Sequence, residues 1–358
     1  MSWMKERSSS PEHTESSSLA AGATHDLGMA KCKKFQTLQD RPLNGSRILV
    51  ASNSSTCMGG DYHYVAYGLG IRSPLRMPEL APKLAHPDII IHFGPVDRSR
   101  LETVGEKQSF WTTGDESCYA FDGAGAFWIF QGREIVIDPD PDADERTLRL
   151  CLLGPVLALA LQQKGRLILH GSAIAIAGRA IGFLGSHGWG KSTVAAACHN
   201  EGHQMITDDV FAIDLDGAWP LVLPSFPQFK LWPKAARALG ERPETLPIVH
   251  PEFDKRARRV MQRFSQLPVP IARLYILGRG TVPHIEHLSS QQGLHALLDF
   301  WYGRRFGSPW LRAIDRRSYF VQSAALANGV RISRLLRPTD LSSLREQVRL
   351  LEKDLRDD

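Results

Sequence analysis

The chain is poor in the features that mark secreted, metal-stapled or membrane-borne proteins. Its five cysteines, Cys32, Cys57, Cys118, Cys151 and Cys198, are scattered with no CxxC pair and no ligand-like spacing. That pattern excludes a disulfide framework and a structural zinc site. No stretch reaches the roughly 18 uninterrupted apolar residues that a membrane helix needs. The opening MSWMKERSSSPEHTESSS lacks the apolar core of a signal peptide. A cytoplasmic protein with no membrane partner is therefore expected. Internal repeats are absent. Beyond charge no nucleic-acid signature is present, so no nucleic-acid partner is expected either. The charge surplus itself is modest: the formal net charge is +5. Such a balance favours acidic partners such as nucleotides or anionic peptides without singling one out.

What is present is a globular chain. With 358 residues, 43% of them hydrophobic, it can bury a substantial core, and the length fits two domains. Residues 1–43 are rich in Ser, Gly, Thr and charge and are expected to form a disordered tail, with Met29 as an alternative start. From Ser46–Ser52 (SRILVAS) onward, short apolar runs such as DIIIHFG, AFWIFQG and REIVIDP alternate with Gly, Pro and Asp. They predict a strand-rich α+β domain over 44–145. A helix capped by Asp144 and ending at Gly165 marks the passage to a second domain, 146–358. There RLILHGSAIAIAGRAIGFLG reads as two strands joined by a turn near Gly178, and LSSLREQVRLLEKDLRDD as a closing amphipathic helix with Ser342 or Ser343 near its cap.

The second strand of that pair runs into Gly185-Ser186-His187-Gly188-Trp189-Gly190-Lys191-Ser192, which fits GxxxxGK[ST] at every required position. Glycines let backbone N–H groups converge on phosphate oxygens, the Lys191 ammonium reaches the terminal phosphates, and the Ser192 hydroxyl suits magnesium. These eight residues and Thr193 form the expected ATP-binding set. The bland alternative is a glycine-rich strand-to-helix turn that happens to spell the pattern. KSTVAAACHNEG continues the loop as a helix stopped by Gly202.

After that helix, the apolar run HQMITDDVFAIDL is broken by Asp208-Asp209, only 17 residues beyond Lys191. If its strand lies beside the loop's strand, both carboxylates arrive at the rim of the phosphate site. One then contacts magnesium through water while the other takes a proton from an attacking hydroxyl. The competing reading is a solvated turn at a strand edge.

LHGSAIAIAGRAIGFLGSHGWGKST followed by GHQMITDDV resembles the C-terminal catalytic domain of the HPr kinase/phosphorylase family, which is also similar to ATP-dependent phosphoenolpyruvate carboxykinase. The resemblance covers roughly Leu167–Leu215 and implies an α/β P-loop kinase fold. It implies Asp208 as the general base, Ser192 as a magnesium ligand, Asp209 in support of the metal, and His170 near the phosphates with Lys191. HPr kinases are hexamers, but a match of some fifty residues does not carry the assembly over, so a homo-oligomer and a monomer both stay open. The later ExRG and RPGRN motifs of the bifunctional HPr enzymes are absent. The stretch YHYVAYGLGIRSPLRMPEL instead resembles shorter HPr-kinase-like proteins found beside peptide natural-product genes, some of which phosphorylate the C-terminal serine of lasso-peptide precursors. The implied partner is thus a peptide or small-protein serine. A non-catalytic nucleotide-binding module and carboxykinase-like small-molecule chemistry are the competing functions.

Three further segments have two readings each. FDKRARRVMQR is either an exposed helical face or, through Lys255 and Arg256, a clamp for a phosphate or peptide carboxylate. FPQFKLWP, expected to be irregular, and WYGRRFGSPW either line a peptide groove or pack over the sheet.

Overall fold

A computed structural model describes residues 61–357. The expected tail over 1–43, the strand expected at Ser46–Ser52, Cys32 and Cys57 lie outside the described residues. Apolar alternation bounded by turn residues gives eight strands first: β1 (Tyr62–Ala66), β2 (Leu69–Ser73), β3 (Ile89–Phe93), β4 (Glu102–Gly105), β5 (Gln108–Thr112), β6 (Glu116–Phe121), β7 (Gly125–Phe130) and β8 (Glu134–Pro139). They form one sheet in the order β1-β2-β3-β8-β7-β6-β5-β4. Pairing is antiparallel except at β2–β3 and β3–β8.

The chain then turns helical. Asp144 caps α1 (Glu145–Cys151) by accepting from Thr147 N at 3.0 Å. Pro155 has no N–H to give, and the chain passes it in a π-helical turn, Leu152–Val156, before α2 (Leu157–Gln163). A continuous apolar cluster crosses this transition, from Phe127 and Ile135 through Leu152 and Leu159 to Leu169 and Phe211. The described residues belong to one compact unit.

The second half is built on β9 (Leu167–Ile176), β10 (Arg179–Leu184), α3 (Lys191–Asn200), β11 (Gln204–Asp214) and β12 (Leu221–Val222). Ala177 and Gly178, both left-handed, close the β9–β10 hairpin. Next come β13 (Gln228–Leu231), α4 (Pro233–Ala238), β14 (Ile248–His250) and β15 (Phe253–Arg259), whose strands form a small sheet in the order β13-β15-β14. β16 (Val269–Arg279), β17 (His284–His287), α5 (Ser290–Asp299), a 3₁₀ turn Tyr302–Phe306, α6 (Gly307–Ala313), α7 (Arg316–Gly329), β18 (Arg331–Arg337) and α8 (Leu344–Arg356) complete the chain.

The main sheet runs β10-β9-β11-β12-β16-β18-β17, and β10 also pairs with β16 in parallel. Strands β10, β9, β11, β12 and β16 thus form a closed circuit. Side chains alternate across β10: Ile181 and Phe183 join a cluster with Val194 and Cys198 of α3 and Val348 and Leu351 of α8. Gly182 faces the other way, where the Phe211 ring fills the space a side chain would take; a Cβ there would lie 2.4 Å from Phe211 Cε1.

Two expectations are corrected. Residues 253–259 form a strand rather than a helical face, since its hydrogen bonds go sideways to β13 and β14. Gln228–Leu231, expected to be irregular, pairs with the same strand. The molecule is mixed α/β, and no described helix is long and apolar enough to cross a membrane.

Candidate active site

The glycine loop joins β10 to α3. Gly185, Gly188 and Gly190 have φ of 156°, 76° and 80°, backbone that side chains with a Cβ rarely adopt. Trp189 N donates to Ser186 O at 3.3 Å, and Arg337 donates to Trp189 O, fixing the loop to the end of β18. Arg279 lies over the Trp189 indole, 5.6 Å from its centroid. Lys191 is buried at the start of α3 and donates to the carbonyls of Gly185 (2.8 Å) and Ser186 (3.2 Å). Burial lowers its pKa to about 8, although Asp209 and Asp208 pull it up.

β11 is not the immediate neighbour of β10. β9 lies between them, antiparallel to both, with Asp208 opposite Ser172 and Asp209 opposite Gly171. In a regular strand adjacent side chains point to opposite faces. Here the register slips between Met205 and Thr207, and Asp209 is left-handed at φ 76°. One lysine consequently holds both acids: Lys230 N donates to Asp208 Oδ2 at 2.9 Å, and Lys230 Nζ lies 3.0 Å from Asp209 Oδ2.

The two carboxylates have different surroundings. Asp208 is 4% exposed. It accepts from Ser172 Oγ at 2.7 Å and from Lys230 N at 2.9 Å, and the nearby Ser192 hydroxyl of the glycine loop favours its charged form. Burial raises its pKa against these hydrogen bonds. The Asp209 side chain is 22% exposed. Burial works against its charge too, but Lys230, His170 and Arg305 hold it well below the ordinary carboxylate range. His170 Nδ1 stands 3.1 Å from Asp209 Oδ1. Desolvation takes His170 down to about 4, so the ring is neutral.

Among the expected site residues, the structure thus brings Lys191, Ser192, Asp208, Asp209 and His170 together. Lys255 joins them: burial lowers its pKa while both aspartates raise it, and its ammonium lies 5.4 Å from the Trp232 ring. His187 is exposed on the loop; desolvation and the ammoniums of Lys255 and Lys191 push it down to about 4. Thr193 is buried in the first turn of α3. Arg256 is not among them. It follows Lys255 on a strand, hence on the opposite face, and pairs with Asp254.

Sequence reasoning gave no role to Ser172 or Arg305, and none to Lys230 beyond its place in FPQFKLWP. Arg305 reaches Asp209 Oδ1 at 3.9 Å and His170 Nδ1 at 3.3 Å. Both cations come from segments noted only for their aromatics. The available signal was a basic residue embedded in an otherwise apolar, aromatic run, where burial requires a partner.

No family model matches the sequence, and no curated protein matches it. Among solved structures, the Hpr(Ser) kinase/phosphatase from Coxiella burnetii aligns over 53% of this chain and 88% of its own, at 12% identity and a TM-score of 0.28. An alignment that loose transfers neither fold nor activity.

Proposed function

We propose that this protein is a magnesium- and ATP-dependent kinase that phosphorylates a serine hydroxyl of a peptide or small protein. One observation carries the reading: a single lysine, Lys230, bridges Asp208 and Asp209 on β11, and both carboxylates stand close enough to Lys191 of the glycine loop to act on its charge. A nucleotide binder needs the loop and its lysine. A buried and a half-buried carboxylate beside them are costly without a further task.

The residues present fit the implied ligands. Left-handed glycines, the Lys191 ammonium and the helix start suit a triphosphate. Ser192 and Asp208 supply hard oxygen donors for magnesium. Magnesium keeps several waters and phosphate oxygens, so one or two protein oxygens suffice to hold it. When bound, the ion would neutralise phosphate charge.

We exchange the roles that the resemblance implies for the two acids. Asp208 is the more deeply buried of the two, near the Ser192 hydroxyl, so we place it on the metal side. Asp209 is the more open carboxylate, so we assign it the acceptor's proton, since a base must first reach its hydroxyl. In the transfer, the acceptor oxygen bonds to the γ-phosphorus and its proton passes to Asp209. The bond to the bridging oxygen breaks with its electron pair left on ADP. The acceptor we favour is a C-terminal serine of a ribosomal peptide, by the resemblance of Tyr62–Leu80 to kinases of lasso-peptide precursors. ATP chemistry and the free thiols of Cys118, Cys151 and Cys198 suit the cytoplasm.

The test uses labelled ATP, magnesium and a panel of serine peptides, including C-terminal serine peptides. Asp209→Asn should lower transfer about 100-fold or more while nucleotide still binds. Asp208→Asn should raise the magnesium concentration required. Saturable ATP binding, lost in Lys191→Ala, with no transfer to any acceptor would leave only a nucleotide-binding module.

A further inference from the structure

Resting on that kinase reading, we propose that Arg305 is a further catalytic residue, the guanidinium that meets the charge of the phosphoryl group in transfer, and that the first sheet exists in part to hold it there. Arg305 belongs to the 3₁₀ turn Tyr302–Phe306, which enters the site beside β9: His170 N donates to Phe300 O at 2.9 Å, and Trp301 bridges to Leu169. Its guanidinium lies flat over the Tyr302 ring, 3.7 Å from the centroid, and Nη1 donates to the Tyr302 hydroxyl at 2.7 Å.

The other end of the guanidinium is loosely held, by a 3.3 Å contact to His170 Nδ1. Asp209 Oδ1 is 3.9 Å from Nη2, beyond hydrogen-bond distance, because Lys230 and His170 already engage that carboxylate. His170 Nδ1 lies 3.3 Å from Nη2 but also 3.1 Å from Asp209 Oδ1. With the proton on Nδ1, His170 donates to Asp209 and offers Arg305 nothing. With the proton on Nε2, Nδ1 accepts from Arg305 and sets its lone pair against a carboxylate oxygen. Neither tautomer lets Nδ1 serve Arg305 and Asp209 together, whereas an incoming phosphoryl oxygen accepts from Nη2 and leaves His170 to Asp209. Lys191 belongs to the loop and its ground-state phosphates. Arg305 stands at Asp209, where the phosphoryl group arrives as the bond to ADP breaks and the acceptor oxygen, giving its proton to Asp209, takes its place.

The support for this residue comes from the first half of the chain. Phe306 stacks on Phe110 of β5 at 4.5 Å and meets Tyr119 of β6 edge-on at 5.8 Å. Tyr302 and Phe306 are buried at 2% and 1% exposure. A few residues on, Arg312 forks onto both oxygens of Glu102 of β4 at 2.7 Å. The turn that carries Arg305 is therefore seated on β4–β6, and its guanidinium is aimed from outside the P-loop half. Tyr302 is a positioning residue in this arrangement.

The experiment is single-turnover transfer from Mg-ATP to a serine peptide by the full chain, with nucleotide affinity and thermal melting measured alongside. Arg305→Gln should lower the transfer rate about 10³-fold, the scale of an arginine that stabilises phosphoryl transfer, with ATP affinity within threefold of wild type. Guanidinium added at millimolar concentration should restore part of the rate. Tyr302→Phe, which keeps the ring and removes the 2.7 Å bond, should cost about tenfold in rate and leave affinity alone. Binding of ADP with aluminium fluoride should weaken in Arg305→Gln while the ATP-analogue affinity holds. An active wild type with an Arg305→Gln rate within threefold overturns this assignment alone. A wild type that binds ATP yet neither transfers nor forms the aluminium fluoride complex overturns the kinase reading and the assignment with it.

Discussion

Raising the pH from 7 to 9 should weaken ATP binding by about tenfold, through one lysine. An ordinary lysine, with a pKa near 10.4, stays protonated throughout that interval. Lys191 does not, because burial brings its pKa to about 8 even with two aspartates opposing. Its ammonium is satisfied only by the carbonyls of Gly185 and Ser186. Phosphate replaces these with full negative charge, which returns the bound-state pKa toward the usual lysine range. The protonated fraction of the free protein falls from about nine-tenths at pH 7 to about one-tenth at pH 9. Affinity falls in the same ratio, about 1.4 kcal/mol. Calorimetric titration with a non-hydrolysable ATP analogue and magnesium reads this directly. Repeating it at pH 8.5 in buffers of different ionisation enthalpy should reveal uptake of most of one proton. Lys191→Arg, charged at every pH tested, should abolish the trend. A wild-type affinity constant to within twofold between pH 7 and 9 would refute both the depressed pKa and the phosphate contact behind it.

Other predictions concern stability. Gly182→Ala would push a Cβ to 2.4 Å from Phe211 Cε1 and 2.6 Å from Leu274 Cδ2; it should cost about 1–3 kcal/mol, with Phe211→Leu in the same chain recovering part of the melting temperature. Asp144→Ala removes the cap on α1, and denaturant titration should register a loss of about 1 kcal/mol. Because His170 has its folded pKa lowered to about 4 from 6.5, the unfolded chain binds the extra proton first. Stability measured in urea should fall as pH drops from 6.5 to 4, and His170→Gln should reduce that slope, leaving the share due to His187, His199 and His250, which are displaced the same way.

The parts of the site that were legible in the sequence are those encoded by short spacing. The glycine loop, the helix Lys191–Asn200, the β9–β10 hairpin and the closing helix Leu344–Arg356 each declare themselves within a few residues, through turn chemistry, capping or periodicity. Strand order has no such signature. That β9 separates β10 from β11 depends on which partner each edge finds, so Ser172, opposite Asp208, had no sequence cue. FDKRARR was open to a helical reading because its charge drew attention from its period. Lys255, Ala257 and Arg259 alternate with Arg256 and Arg258, and the strand puts Lys255 at the site and Arg256 away from it. Lys230 and Arg305 lie 21 and 96 residues beyond Asp209. Only tertiary structure joins them to it.

The acidic pair also shows why two adjacent aspartates serve where a strand would separate them. Regular alternation would bury one carboxylate on each face, and each would then require its own cation. The left-handed backbone at Asp209 breaks that alternation. Thr207 Oγ1 donates to Val210 O at 2.6 Å, spanning the distorted turn of backbone. Asp is among the few side chains that tolerate this conformation, and holding it there still costs about 1–3 kcal/mol. The return is that one lysine, through its backbone and its ammonium, serves both acids at once, while the two remain unlike: one buried against Ser172, the other more open beside His170 and Arg305. A purely structural ion pair has no use for that difference, whereas a transfer that must bind a metal on one side and accept a proton on the other depends on it.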